Sequence, residues 1–412
     1  MKRYLSFFRE NPVWSRVLLF SLTLFLVRFA DATISFWVPN QITAALGDAF
    51  LVGIVISFQS IVGLAADLIF PKILKNANVR RLIILAIITS ALTSLFLFTS
   101  AYKPLISIFI ITMTLWGLYY ELISFANYQF MGVYVPLNLR SSAWGVNDVF
   151  LNLAYFLGPL VGSLLLLKGN IEIEAFILVI LFAAFVIFSF SRSIHGVEEI
   201  NKFEGLNTLS ELKHWLTLSK IVWPILVVSF LLGCIDSTFW TVGAVLTEKL
   251  STINILGSFF LPFYLLPAIP VGLLVAKWGV YKGKKILGEK FLILSGLFLI
   301  LMPLSSNIFW LLSIVFISSL MLGICYPLIQ AVYTDLVARM GKEKKEMVGL
   351  TSSVINIAYI VWAPIIGFTA SKMGDIKTFA VVGVVTVVVG ITLLFVTPRK
   401  LKLPQEEIQS WK

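Results

Sequence analysis

The chain is divided into apolar blocks long enough to cross a lipid bilayer, of which Val79 to Ala101 is typical. A helix needs about 20 such residues to traverse about 30 Å of hydrocarbon, and a soluble fold has no use for a dozen of them in succession. Reading with that ruler places spans at roughly 16–38, 49–70, 80–101, 105–131, 142–167 and 174–192, then at 221–246, 254–277, 286–304, 308–333, 348–370 and 378–397. Of 412 residues 59% are apolar and 13% charged, against about 45–50% and about 25% in soluble domains. These values exclude a cytosolic enzyme, a secreted disulfide scaffold and a disordered tail. Cys234 and Cys325 both lie in apolar runs and read as small hydrophobes, with no disulfide framework implied. The N-terminus is basic, and the apolar run behind it lacks a small-residue cleavage site, so it reads as a retained first span and not a removable signal.

The net charge of +11 would suggest nucleic acid in a soluble protein, but its distribution carries a different message. Of the 32 basic residues, 26 fall in the terminal arms and alternate connections, including Lys72, Lys75, Arg80, Arg81, Arg140, Lys220 and the cluster from Lys277 to Lys290. The opposite connections hold only Lys103, Lys168, Lys249, Lys372 and Lys377. Cytoplasmic loops carry such an excess, so both termini are expected inside a plasma (cell inner) membrane, with anionic lipid and not nucleic acid as the partner of the basic face.

The chain also repeats itself at half its length. Asp31-Ala-Thr and Asp236-Ser-Thr are 205 residues apart, and Asn152-Leu-Ala-Tyr155 and Asn356-Ile-Ala-Tyr359 are 204 apart, with Pro159 and Pro364 following. Gly117-Leu-Tyr-Tyr-Glu-Leu-Ile and Gly323-Ile-Cys-Tyr-Pro-Leu-Ile are 206 apart. The fold class is therefore an all-α integral membrane protein of twelve transmembrane helices, arranged as two six-helix halves in parallel repeat, with a substrate site expected at the midplane. The halves are residues 1–192 and 220–412. Between them, 193–219 reads as a cytoplasmic linker in which Thr208-x-x-Glu211 starts a short amphipathic helix.

At this point the sequence resembles the major facilitator superfamily, over essentially its whole length. Gly63-Leu-Ala-Ala-Asp67 partly matches the family's loop motif after span 2, with Leu68 at the Arg position and Phe70 at the second Gly position. Gly272-Leu-Leu-Val-Ala-Lys277-Trp-Gly279 is the second-half copy and lacks the Asp. The resemblance implies a cytoplasmic gate latched by Asp67. Ala154-x3-Gly158-Pro159-x2-Gly162-Ser163 resembles the family's antiporter motif, with Pro364 and Gly367 in a weaker copy, and implies export in exchange for protons. In physical terms, the small residues allow close helix packing and the prolines kink.

A charge at mid-bilayer costs roughly 2.5–3.5 kcal/mol on insertion scales, so the few charges inside the spans are the best functional pointers. Arg28 and Asp31 are three apart on span 1 and can pair. Glu121 sits in span 4, free to carry a proton or to pair with Arg28. Asp148 in span 5 shares a stripe with Asn152 and Tyr155 and reads as a gate or packing residue. Asp236 in span 7 has no basic neighbour on its own helix and is the better candidate for proton or cation binding. Four acids against Arg28 in a low dielectric imply that at least one carboxyl carries a proton near neutral pH. Trp116, Tyr120, Trp240, Tyr326 and Gln330 stand at the same level and frame a cavity suited to a cation or amphipath. Asn152 and Asn356 could hydrogen-bond a polar solute. Trp37 reads as an interfacial belt residue, and Asp67, Glu289 and Asp335 as solvated residues at span ends.

His195 and His214, the only histidines, lie in the linker, and no metal spacing, P-loop or Ser/His/Asp set occurs. No catalysis, metal or cofactor is expected. The chain reads as a secondary transporter of a small-molecule substrate, coupled to protons and exporting amphipathic or cationic compounds. An importer or passive facilitator of a polar solute, and a non-transporting scaffold or receptor, are the alternatives. Oligomeric state is not legible.

Overall fold

The computed structural model describes residues 12–73, 78–135, 140–190, 208–271, 283–339 and 344–397. Among them every regular element is helical. In chain order they are α1 (Pro12–Leu46), α2 (Ala49–Ile73), α3 (Val79–Ser100), α4 (Ile106–Val133), α5 (Arg140–Leu166), α6 (Asn170–Phe190), α7 (Thr208–Thr238), a π turn (Phe239–Gly243) and α8 (Ala244–Ile253). They continue with α9 (Phe260–Leu265), α10 (Lys284–Ile300), α11 (Ile308–Arg339), α12 (Lys344–Met373) and α13 (Asp375–Val396). Helices satisfy every backbone group within one segment, which a lipid environment demands. Eleven helices are long and apolar enough to cross a membrane, and the shorter apolar helix Ile255–Val271 occupies the place of the expected eighth span.

Short local signals set the boundaries. Gly47 adopts φ 68°, a left-handed conformation that ends α1. Asp48 next to it starts α2 by accepting the Phe50 N–H at 2.9 Å. Asn78 caps α3 by accepting from the Arg81 N–H. Span 1 is longer than expected, because Pro39 lies inside α1 without ending it. Span 7 differs more. The helix starting at Thr208 does not stop as a separate linker helix but runs unbroken into the membrane as α7, with Pro224 inside. Residues 193–207 of the expected linker lie outside the described residues.

The chain forms two compact units, Met1–Gly47 with Ala65–Glu204, and Asp48–Leu64 with Gly205–Lys412. In the first, α1 packs against α5 and α6, and α3 against α4. A Cβ on Gly158 would overlap Ala32, and one on Gly162 would stand 3.1 Å from the Phe36 ring, so the motif Gly158-Pro159-x2-Gly162 is the close seam between α5 and α1. In the second, α7 packs on α12, and α10 on α11 and α13. The beginning of α2 belongs to this unit, where Gly53 lies on Ala363 and Pro364, and Gly367 on Ala49.

Candidate functional site

In the first unit α1 places Arg28 and Asp31 one turn apart, and their side chains form an ion pair at 3.7 Å. Asp31 is fully buried and Arg28 is 15% exposed. The carboxylate accepts the Trp116 indole N–H at 2.8 Å on Oδ1 and the Tyr155 hydroxyl at 2.6 Å on Oδ2. Arg28 also donates to the Tyr155 oxygen at 3.3 Å. Its guanidinium lies 5.9 Å from the Tyr119 ring centroid and 5.6 Å from that of Tyr120. Charge is neutralised and both carboxylate oxygens are bonded, as a buried ion pair requires to offset desolvation.

The second unit repeats the acid but not its counterion. On α7, Asp236 accepts the Tyr264 hydroxyl at 2.7 Å on Oδ1 and the Tyr359 hydroxyl at 2.8 Å on Oδ2, with the Trp240 side chain also within bonding reach. Tyr264 stacks on Phe239 with centroids 3.9 Å apart, and Tyr326 reaches the Tyr264 hydroxyl. Among the described residues no basic side chain pairs with Asp236. Tyr359 stands where Tyr155 stands in the repeat, 204 residues on, but the counterpart of Arg28 at an offset of 205 is Gly233. A Cβ there would sit 2.7 Å from the Ala358 Cβ, so α7 and α12 approach too closely at that level for a long side chain. The π turn Phe239–Gly243 begins three residues after Asp236 and carries Trp240. Such turns are concentrated at functional sites because the extra residue re-aims side chains.

The structure thus gathers Arg28, Asp31, Trp116 and Tyr120 in one cluster, and Asp236, Trp240 and Tyr326 in another. Glu121 is half-buried on α4, and Arg28 pairs with Asp31. Asp148 is exposed, and Asn152 donates to the Asp148 backbone carbonyl at 2.9 Å, a bond within its own helix. Asn356 is half-buried and Gln330 exposed. Gly63 is buried in α2. The Asp67 and Asp335 side chains, and Gly272, Lys277 and Gly279, lie outside the described residues.

Two sequence readings are corrected. Glu289 is no solvated end residue, since it is 0% exposed and ion-paired to Lys285 at 3.2 Å across one turn of α10. Lys285 also donates to the Thr397 hydroxyl at the end of α13. Trp37 does not face lipid as a belt residue would, being fully buried with its indole N–H donated to Asn170 at 3.1 Å. Sequence reasoning also left Tyr155, Tyr264 and Tyr359 out of the site. The repeat had already paired Tyr155 with Tyr359 at nearly the spacing that separates the two acids. Tyr264 gave no such signal, because its counterpart at offset 205 is Gln59.

Comparison with known proteins agrees with this architecture. The family model described as Major Facilitator Superfamily matches residues 20–342 and 225–412. The peptide transporter POT in complex with sulfate superposes with a TM-score of 0.73 at 14% identity, covering 96% of this chain and 95% of that one. The nucleoside transporter NupG does so at 0.64 and 11% identity, covering 91% and 97%. The human organic anion transporter MFSD10 (TETRAN) gives 0.63 and 16%, covering 93% and 100%. At these identities the likeness is one of fold. No curated protein sequence matches the chain.

Proposed function

The chain belongs to the Major Facilitator Superfamily, and from that premise we propose that this multi-pass membrane transporter, which is not an enzyme, couples proton movement to the export of a small amphipathic or cationic compound by alternating access. The observation that carries the reading is the difference between the two equivalent acids. Asp31 is neutralised by Arg28. Among the described residues Asp236 is held by neutral donors, the hydroxyls of Tyr264 and Tyr359 and the Trp240 side chain. Asp236 is half-buried; a carboxylate largely withdrawn from water without a cation is costly, and a proton or a cationic substrate removes that cost. A ligand of either kind then shifts the balance of conformations by its differential affinity for them.

In this reading Asp236 is the coupling carboxyl, and Arg28–Asp31 is a fixed brace. Trp116, Tyr120, Trp240, Tyr326, Gln330, Asn152 and Asn356 line the substrate route. Aromatic faces beside an acid favour organic cations. Glu121 is a secondary proton site, Asp148 and Asp67 serve gating, and the Gly158-Pro159-Gly162 seam, which resembles the antiporter motif, supports export. The basic connections put both termini on the cytoplasmic side of the plasma membrane, facing anionic lipid.

The test is flux in proteoliposomes under an imposed pH gradient, with a panel of organic cations and neutral amphipaths. Substrate accumulation should follow the gradient and collapse when a protonophore removes it. Flux indifferent to the gradient refutes proton coupling. A panel that yields neither flux nor thermal stabilisation favours a scaffold or receptor.

A further inference from the structure

We propose that a groove of about 450 Å³ between the basic end of α7 and the first half of α12 is a binding site for one anionic phospholipid. Its wall is apolar, formed by Trp223, Leu226, Val227 and Phe230 from α7 and by Val354 and Ile357 from α12. Trp223 and Ile357 are each 40% exposed, an apolar surface matched to an acyl chain.

One end of the groove is different. Lys220 and Ser219 close it, and Lys220 forms no ion pair among the described residues. Ser219 donates its hydroxyl proton to the Leu216 carbonyl at 2.9 Å, so the ammonium of Lys220 is the charged donor at this end. Trp223 lies one turn along the same face, the position in which an indole sits at headgroup level with its ring in the hydrocarbon boundary. Pro224 follows, and it has no N–H to offer the Lys220 carbonyl, which leaves that carbonyl without its usual helical partner. A cation, an interfacial indole and an apolar trough in line along one helix match a phosphate, a glycerol and an acyl chain in that order. Lys220 also belongs to the basic set of connections, the side on which anionic lipid is enriched. The proposal is independent of the transported substrate.

The experiment reconstitutes the full-length protein with photoactivatable phosphatidylglycerol or the matching phosphatidylcholine probe in phosphatidylcholine vesicles, and maps cross-links by peptide mass spectrometry. The glycerol-phosphate probe should label peptides of α7 and α12 around the groove, and the choline probe should label them far less. Lys220→Gln should reduce that labelling roughly fivefold, the equivalent of about 1 kcal/mol per basic residue, while Lys220→Arg retains it. Val227→Trp, which fills the trough, should abolish labelling there. Lys220 is exposed, so its substitution tests the headgroup contact in a folded protein even where Val227→Trp unfolds. Equal labelling by both probes with Lys220→Gln unaffected would mean ordinary boundary lipid, and no labelling of these peptides by either probe would mean that lipid does not enter the groove; either result overturns the proposal.

Discussion

At the scale of single residues, the decisive comparison is between two aspartates that share a repeat position and differ in company. Asp31 has a cation 3.7 Å away, and removing it should be expensive. Arg28→Met leaves a buried carboxylate uncompensated and should lower stability by about 3–5 kcal/mol, whereas Arg28→Met with Asp31→Asn should recover most of that loss. Denaturant unfolding of purified protein followed by intrinsic fluorescence reads both. The same logic separates two lysines. Lys285→Met strands Glu289, which is 0% exposed, and should cost about 3–5 kcal/mol. Lys249→Met breaks a pair of 2.6 Å to Asp375 whose lysine is 54% exposed, and should cost about 0–1 kcal/mol. The acids at Asp31 and Asp236 were legible in the sequence because lipid makes any charge conspicuous. Their tyrosines were not, since a tyrosine in an apolar run costs little and is unremarkable until its hydroxyl is seen to point at a carboxylate. Glu289 was misread because hydropathy locates a residue along a span but says nothing of whether it faces lipid, water or the interior.

At the scale of elements, the seam between α1 and α5 positions the first cluster, since the helix face that carries Tyr155 to Asp31 continues one turn later as Gly158. Gly158→Ala places a methyl group into Ala32. It should destabilise by about 1–3 kcal/mol through overpacking, visible as a lower thermal unfolding midpoint. Gly283→Ala is a contrasting case, since its Cβ meets open space and its cost comes only from φ 72°. Apart from spans 1 and 7, most span positions were readable to within a few residues because length and apolarity are set by the bilayer itself. What hydropathy does not register is a change of helix type inside an unbroken apolar run. The π turn Phe239–Gly243 and the fusion of the amphipathic segment from Thr208 with span 7 are both of that kind.

At the scale of the whole molecule, the sequence repeats at half its length, and the repeated positions differ in charge. The basic asymmetry predicts sidedness. Single cysteines at Lys103 and Lys168 should react with a membrane-impermeant maleimide on intact cells, and cysteines at Lys342 and Lys402 only after permeabilisation. Cys234 and Cys325 are buried and should contribute little background. The divergence in charge predicts that the copies do different work, Asp236 coupling transport to protons while Arg28 and Asp31 hold the first cluster together. The most direct test is gradient-driven accumulation in proteoliposomes, comparing Asp236→Asn with the double variant Arg28→Met/Asp31→Asn, each shown to be folded by its melting profile. Asp236→Asn should lose accumulation against the gradient while still exchanging substrate, and the double variant should still accumulate. Accumulation that survives in Asp236→Asn and vanishes in the double variant would contradict this division of roles.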